Sequence, residues 1–412
     1  MPPSPDPELV RKPSFWAVFA SAPHRLFLFG GAVQIVLAVA LWAALLAARA
    51  AGQPVALPLP DPWLHTFLMV YGIFPYYIFG FLFTVYPRWM RIRPVPATQY
   101  VRIFHLLLAG WLLFYVGLLA GPLLIAAGLA VLVAGFLHGL ASLLAVYREA
   151  PERGVHERLL NLALTFGLVG LANFLYATLT GSYRAFAVAR ELGLWLFLVP
   201  VVFTVSHRMI PFFSSSVLMN YVMVRPTWGP PIMLICATGH VALELLGLPQ
   251  WRWLFDLPLA VTALHHSYVW QFRRSFHARL LAMMHIAFLW LGVAMALYAA
   301  QSLLWLVSGA DLLGRAPLHA LGIGFLASMV VAMGSRVTLG HSGRALAADT
   351  RTWVALLGLS VTAAMRMGAE FLPVWSSWLN LAAATAWLLC VIPWVLQYAP
   401  FYFRPRADGQ PG

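Results

Sequence analysis

Apolar residues in this chain come in long unbroken runs, not in alternation with polar ones. Each run is roughly 20 residues, enough for an α-helix to cross the ~30 Å hydrocarbon core of a bilayer. In lipid, only helices and closed barrels satisfy their own backbone groups. Continuous runs exclude the barrel, whose strands alternate. The pattern predicts about twelve spans, near 26–48, 64–86, 103–120, 122–147, 159–181, 186–206, 231–248, 254–271, 279–300, 317–337, 353–372 and 376–398. The least sharply bounded are the pair meeting at Gly121-Pro122 and the pair divided at Trp251-Arg252-Trp253. The expected fold is an all-α polytopic membrane protein: one transmembrane domain over about 26–400, between an N-terminal tail (1–25) and a C-terminal tail (401–412).

Composition agrees. Of 412 residues, 62% are hydrophobic and only 9% charged, with mean hydropathy +0.81, where soluble domains carry roughly a quarter charged residues. The net charge is +13, and all but one of the 26 basic residues are arginine. The arginines follow the topology. With the N-terminus inside, 20 basic residues fall on inner segments and six (Arg49, Arg184, Arg190, Arg252, Arg315 and Arg366) on outer ones. That bias is the positive-inside rule for an even number of spans with both termini cytoplasmic. The basic charge is thereby accounted for without a nucleic-acid partner; the lipid bilayer is the partner it implies. Cys236 and Cys390 lie within apolar runs and form neither a disulfide framework nor a zinc-ligand spacing. No apolar region with a small-residue cleavage site precedes the first span, so no cleaved signal peptide is expected. Short loops point to a bacterial inner membrane.

With so few charges, each ionisable group inside a span is a candidate functional residue. Thirteen histidines equal the thirteen acidic residues in number. Neutral imidazole ligates haem iron and copper without needing a countercharge in lipid. The topology places His65 and His319 near the outer face, His138, His240, His265, His266 and His285 deeper, and His24, His105, His207, His277 and His341 at the inner face. Two histidines on facing helices can sandwich a haem, and three around an open position can hold copper. His265 and His266 are adjacent, so on a helix their side chains diverge by about 100°. Both reach one metal only if the backbone bends; otherwise one ligates and the other hydrogen-bonds. His240 and Glu244 share a helix face at i, i+4. They read as a proton relay or as a buried polar pair. Arg366 and Glu370, spaced likewise, read as an ion pair near the outer face. The second span is rich in aromatics from Phe67 to Tyr86, with Pro75 as a kink.

The stretch Pro317–Arg344 holds the densest candidate chemistry: His319 at one end, Arg336, His341 and Arg344 at the other, glycines between. The ends lie about one membrane thickness, ~30 Å, apart. His319 and the arginines therefore cannot serve one haem together, and the natural partner of His319 is His65 on the second span. Arg336 and Arg344 remain candidates to anchor an anionic group.

Several strings resemble the NnrS family of bacterial membrane proteins. They are Ala22-Pro23-His24-Arg25-Leu26-Phe27, Gly80-Phe81-Leu82-Phe83-Thr84-Val85-Tyr86-Pro87-Arg88-Trp89, Arg208-Met209-Ile210-Pro211-Phe212-Phe213, His285, His319-Ala320-Leu321 and Arg336-Val337-Thr338-Leu339-Gly340-His341-Ser342-Gly343-Arg344. Their order covers most of the chain, and the last is the most specific. The resemblance implies a twelve-helix protein binding haem, expected to be b-type, and copper, associated with nitric oxide, nitrosative stress and denitrification. By position His24, His285, His319 and His341 match family histidines, and His265 or His266 falls near another. One departure stands out. Where the family opens its second span with His-x-His-Glu-Met, this chain has His65-Thr66-Phe67-Leu68-Met69. The missing His and Glu put copper in question.

The function expected is that of a haem or haem-copper protein handling nitric oxide or another small apolar gas, supplied by an unidentified electron donor. Its candidate ligands are His65, His265, His266, His285 and His319. The alternative is a twelve-helix secondary transporter without a redox cofactor. A haem-copper oxidase subunit ranks below both, because no His-Pro-Glu-Val-Tyr string occurs.

Overall fold

The computed structural model describes residues 14–409, and every regular element among them is helical. A short helix, Phe15–Phe19, leads into α1 (Pro23–Ala50). There follow α2 (Asp61–Trp89), α3 (Ala97–Ala120), α4 (Pro122–Glu149), α5 (Val155–Thr180) and α6 (Tyr183–Val217). The second half comprises α7 (Gly229–Leu245), α8 (Trp253–Val269), α9 (Arg279–Ser308), α10 (Ala316–His341), α11 (Thr350–Phe371) and α12 (Pro373–Tyr402). Ten of these are long and apolar enough to cross a membrane. The other two, α7 and α8, have 17 residues each, about 25 Å of helix, at the short limit for a span. The chain is a multi-pass membrane protein, and each predicted span coincides with a helix.

Neighbours in sequence pack as antiparallel hairpins: α3 on α4, α8 on α9, α11 on α12. The first pair approaches closely because Gly110 and Gly128 face each other, and a Cβ on Gly128 would lie 2.7 Å from the Gly110 carbonyl oxygen. Helix α12 also packs on α1, bringing the two ends of the chain together. Arg25 seals this junction by donating to the carbonyls of Tyr402 and Arg404 at 3.1 and 2.8 Å.

Three helices form the centre. The apolar windows of α2, α10 and α6 are 89%, 83% and 72% buried, with α9 next at 67%, against 33–44% for α1, α3, α4, α5, α11 and α12. The same three carry π-helical stretches, at Leu68–Gly72, Leu192–Leu198 and Ala320–Ala327. In two of them the cause is a following proline. Pro75 and Pro200 have no N–H for the carbonyls four residues back, Tyr71 and Leu196, and the backbone widens there. Tyr71 then stitches α2 to α6 by donating to the Ala189 carbonyl at 2.7 Å. Gly170 and Gly193 leave room for that hydroxyl, which a Cβ on Gly193 would approach to 2.5 Å.

Several boundaries differ from expectation: α3 begins at Ala97 rather than near 103, and α9 runs to Ser308 rather than 300. Helix α6 does not end near 206 but continues to Val217, so the Arg208–Phe213 string is helical and only residues 218–228 connect it to α7. Contacts to the start of α5 hold the added turns: Arg208 pairs with Glu157 at 2.6 Å, and His207 Nδ1 meets His156 Nε2 at 2.9 Å. Helix α10 likewise runs past 337 to His341.

Candidate functional site

A cavity of about 990 Å³, counting the space where it opens outward, lies among α1, α2, α6, α10, α11 and α12. His65 and His319 both line it. So do residues of all three π-helical stretches: Met69 and Val70 from α2, Leu194 and Leu198 from α6, Gly322, Ile323 and Leu326 from α10. Widened backbone turns of this kind concentrate at functional sites. Gly322, one turn after His319, has nothing within 4 Å of where a Cβ would sit, so α10 presents bare backbone to the void beside its histidine. The walls are otherwise largely apolar, with Trp42, Phe74 and Trp387 among them; Arg190, Arg366, Asn380, Thr66 and Thr362 add polar groups.

The two imidazoles are held differently. His319 Nδ1 faces the Arg315 carbonyl oxygen at 2.9 Å, so this nitrogen carries the proton. Its Nε2 is left with a lone pair, which accepts from Arg366 at 3.1 Å. That is the tautomer of a metal-ligating histidine, whose second nitrogen is oriented by a carbonyl. Arg366 is itself held by Asn380 and by Glu370, the latter at 3.6 Å. The i, i+4 pair with Glu370 therefore also positions a cation on the cavity. His65 packs against Trp42 with ring centroids 4.2 Å apart, and its Nδ1 is buried without a hydrogen-bond partner. A buried imidazole nitrogen in this condition costs free energy unless a ligand or proton acceptor completes it.

Arg190 connects the cavity to a polar network on the same side. It bonds the buried Glu191 at 2.6 Å and reaches Glu244 at 3.6 Å; Glu244 also accepts from Arg252 at 2.8 Å. Glu244 is thus engaged by arginines, and His240 turns instead to Asp256 on α8, with Nδ1 2.7 Å from Oδ1. The His240 ring lies on Trp195 at 3.7 Å, adjacent in sequence to the cavity residue Leu194. Asp256 is a lone carboxylate in an apolar run, and that signal was visible in the sequence; its pairing with His240 follows only from the packing of α7 on α8.

The remaining candidates lie elsewhere. His285 bonds Ser214 at 3.1 Å, between α9 and the end of α6. His265 is exposed beside Trp228, whereas its neighbour His266 is buried, with Nδ1 2.7 Å from the Thr262 carbonyl. The two diverge, as helical geometry requires. Arg336 stacks over Phe213 and Arg344 over Phe401, at 4.5 and 3.9 Å, neither on the cavity. His24 and His341, expected at the inner interface, instead meet inside the protein with ring centroids 4.4 Å apart, and His24 is 4% exposed. Phe67 and Leu68 are fully buried and do not line the cavity; Phe67 stacks on Phe174 at 4.5 Å and tilts toward Phe114 at 4.8 Å. The two positions that depart from His-x-His-Glu therefore lie off the cavity wall. Among the described residues no three His, Cys, Asp or Glu side chains gather on one point.

No curated protein sequence matches the chain. A family profile described as NnrS protein matches residues 18–406, nearly the whole length and all twelve helices but the tip of neither tail. The chain belongs to the NnrS family.

Proposed function

We propose that the outer cavity holds a b-type haem between His65 and His319, and that the protein handles nitric oxide there as part of nitrosative-stress defence or denitrification. The observation that carries this reading is the pair of imidazoles on two central helices lining one largely apolar void, one with an Nε2 lone pair that now accepts from Arg366 and would be released to a ligand, the other with a buried nitrogen unpartnered. The donor set fits such a group. His65 and His319 would hold the iron, Gly322 leaves α10 without a side chain at that point on the cavity, and Arg366 and Arg190 would pair with the carboxylates that such a group carries. A three-ligand copper centre does not fit this donor set, and no step is derived through copper.

When bound and reduced, haem supplies tight coordination of nitric oxide. The chain's own residues do the rest. His319 is oriented by the Arg315 carbonyl, and the apolar walls exclude water. Glu191 and Glu244, both paired with Arg190, are the carboxylates that would hold a proton beside the cavity, with the His240–Asp256 pair next to them. The electron donor would approach from the membrane surface, and the inner membrane of a bacterium with both termini cytoplasmic is the setting we assign from the arginine distribution.

The test is a difference spectrum of purified, dithionite-reduced protein before and after nitric oxide. A Soret band that shifts is expected. A spectrum without a Soret band, together with uptake of a solute by reconstituted vesicles, would support the transporter alternative, to which interrupted central helices are also suited.

A further inference from the structure

A second cavity, of about 600 Å³ including its opening between helices, lies along the same three central helices. It shares two wall residues with the outer cavity, Phe74 and Leu326. Leu326 belongs to the π-helical stretch of α10, and Phe74 follows the break in α2, so the partition between the two voids is built on the irregular backbone. At its other end the inner cavity reaches Leu28 and Val337, one turn from His24 and His341 respectively.

Its chemistry is narrow. The lining side chains are aliphatic, aromatic and thioether, including Met329 and Met333. The one polar side chain among them is Tyr77, and its hydroxyl is buried with no hydrogen-bond partner, although Tyr77 is only 6% exposed. An unpaired hydroxyl in an apolar interior is unfavourable by itself. An apolar void is also unfavourable relative to close packing, and such voids stay dry and accept apolar solutes. A charged or strongly hydrated molecule finds no partners here. A small uncharged molecule with a weakly basic end fits both features at once.

We propose that this inner cavity is a second ligand station, taking a small uncharged molecule of the size of a diatomic or triatomic gas beside the Tyr77 hydroxyl. Phe74 and Leu326 form the wall it crosses to reach the outer cavity. The crossing rests on the reading of the outer cavity as a ligand site; binding at Tyr77 does not.

Xenon is the first probe. In crystals of the full-length protein pressurised with xenon, anomalous density is expected between Tyr77, Met329 and Val202. Val202→Trp or Val205→Trp, at positions that line the inner cavity alone, should abolish it while leaving any xenon beside His65 in place. Density absent from the wild type, or unaffected by both variants, overturns the proposal. Nitrous oxide is the second probe, read by the infrared band of the dissolved gas in detergent-solubilised protein. A protein-bound component that shifts in Tyr77→Phe and is lost in Val202→Trp is expected; a band identical in all three proteins removes the role of Tyr77. Neither readout needs haem. A protein without a Soret band but with inner xenon refutes the haem reading alone, and the converse refutes the inner station alone.

Discussion

Asp256 and His240 are 0% and 1% exposed, and each is the other's polar partner across α7 and α8. Removing one member of a buried pair leaves the other uncompensated, at a cost of about 3–5 kcal/mol. Asp256→Ala should therefore lower thermal stability in detergent well beyond Asp256→Asn, which keeps an acceptor for the imidazole N–H; equal loss in both variants would show that the bond does not matter. Glu244→Gln, by contrast, should leave stability nearly unchanged, because its partners Arg252 and Arg190 also bond Gln301 and Glu191. The histidines at the cavity were legible in the sequence: isolated imidazoles in apolar runs stand out, and the arginine bias set His65 and His319 at one depth. Arg366 was not read as a cavity residue, because its spacing to Glu370 already explains its presence. The contact with His319 depends on how α11 turns against α10, which no local pattern encodes.

Helix positions were readable for a simple reason: a bilayer imposes one length on every span. What periodicity does not contain is the π-helical stretch, where each hydrogen bond skips one residue further without changing the apolar character of the run. Pro75 signalled the break in α2, but the matching stretch in α10 has no proline, and its existence follows only from packing. The stitch between the α2 and α6 stretches is testable. Tyr71→Phe removes the donor to the Ala189 carbonyl and should cost about 1–3 kcal/mol of stability, since a buried acceptor loses its partner. Gly193→Val should cost at least as much by driving a side chain into the Tyr71 hydroxyl. Thermal denaturation of both variants equal to wild type would mean that the two stretches are not coupled through Tyr71.

The assembled molecule places two voids along three central helices, α2, α6 and α10, with α1, α11 and α12 completing their walls. The orientation we propose from the arginine distribution puts both ends of the chain in the cytoplasm. A fluorescent protein fused after residue 412 should therefore light up in bacteria, whereas alkaline phosphatase fused there should stay inactive; the opposite pattern would invert the whole arrangement and put His65 and His319 on the inner side. The central claim is that these two histidines, and not the other eleven, hold a haem. It is tested most directly by the absorption spectrum and iron content of purified wild-type, His65→Ala, His319→Ala and His285→Ala proteins, measured side by side. A Soret band and stoichiometric iron are expected in the wild type and in His285→Ala, with loss or a marked shift of the band in both cavity variants. A wild type without haem, or a band lost in His285→Ala and intact in His65→Ala and His319→Ala, would contradict it.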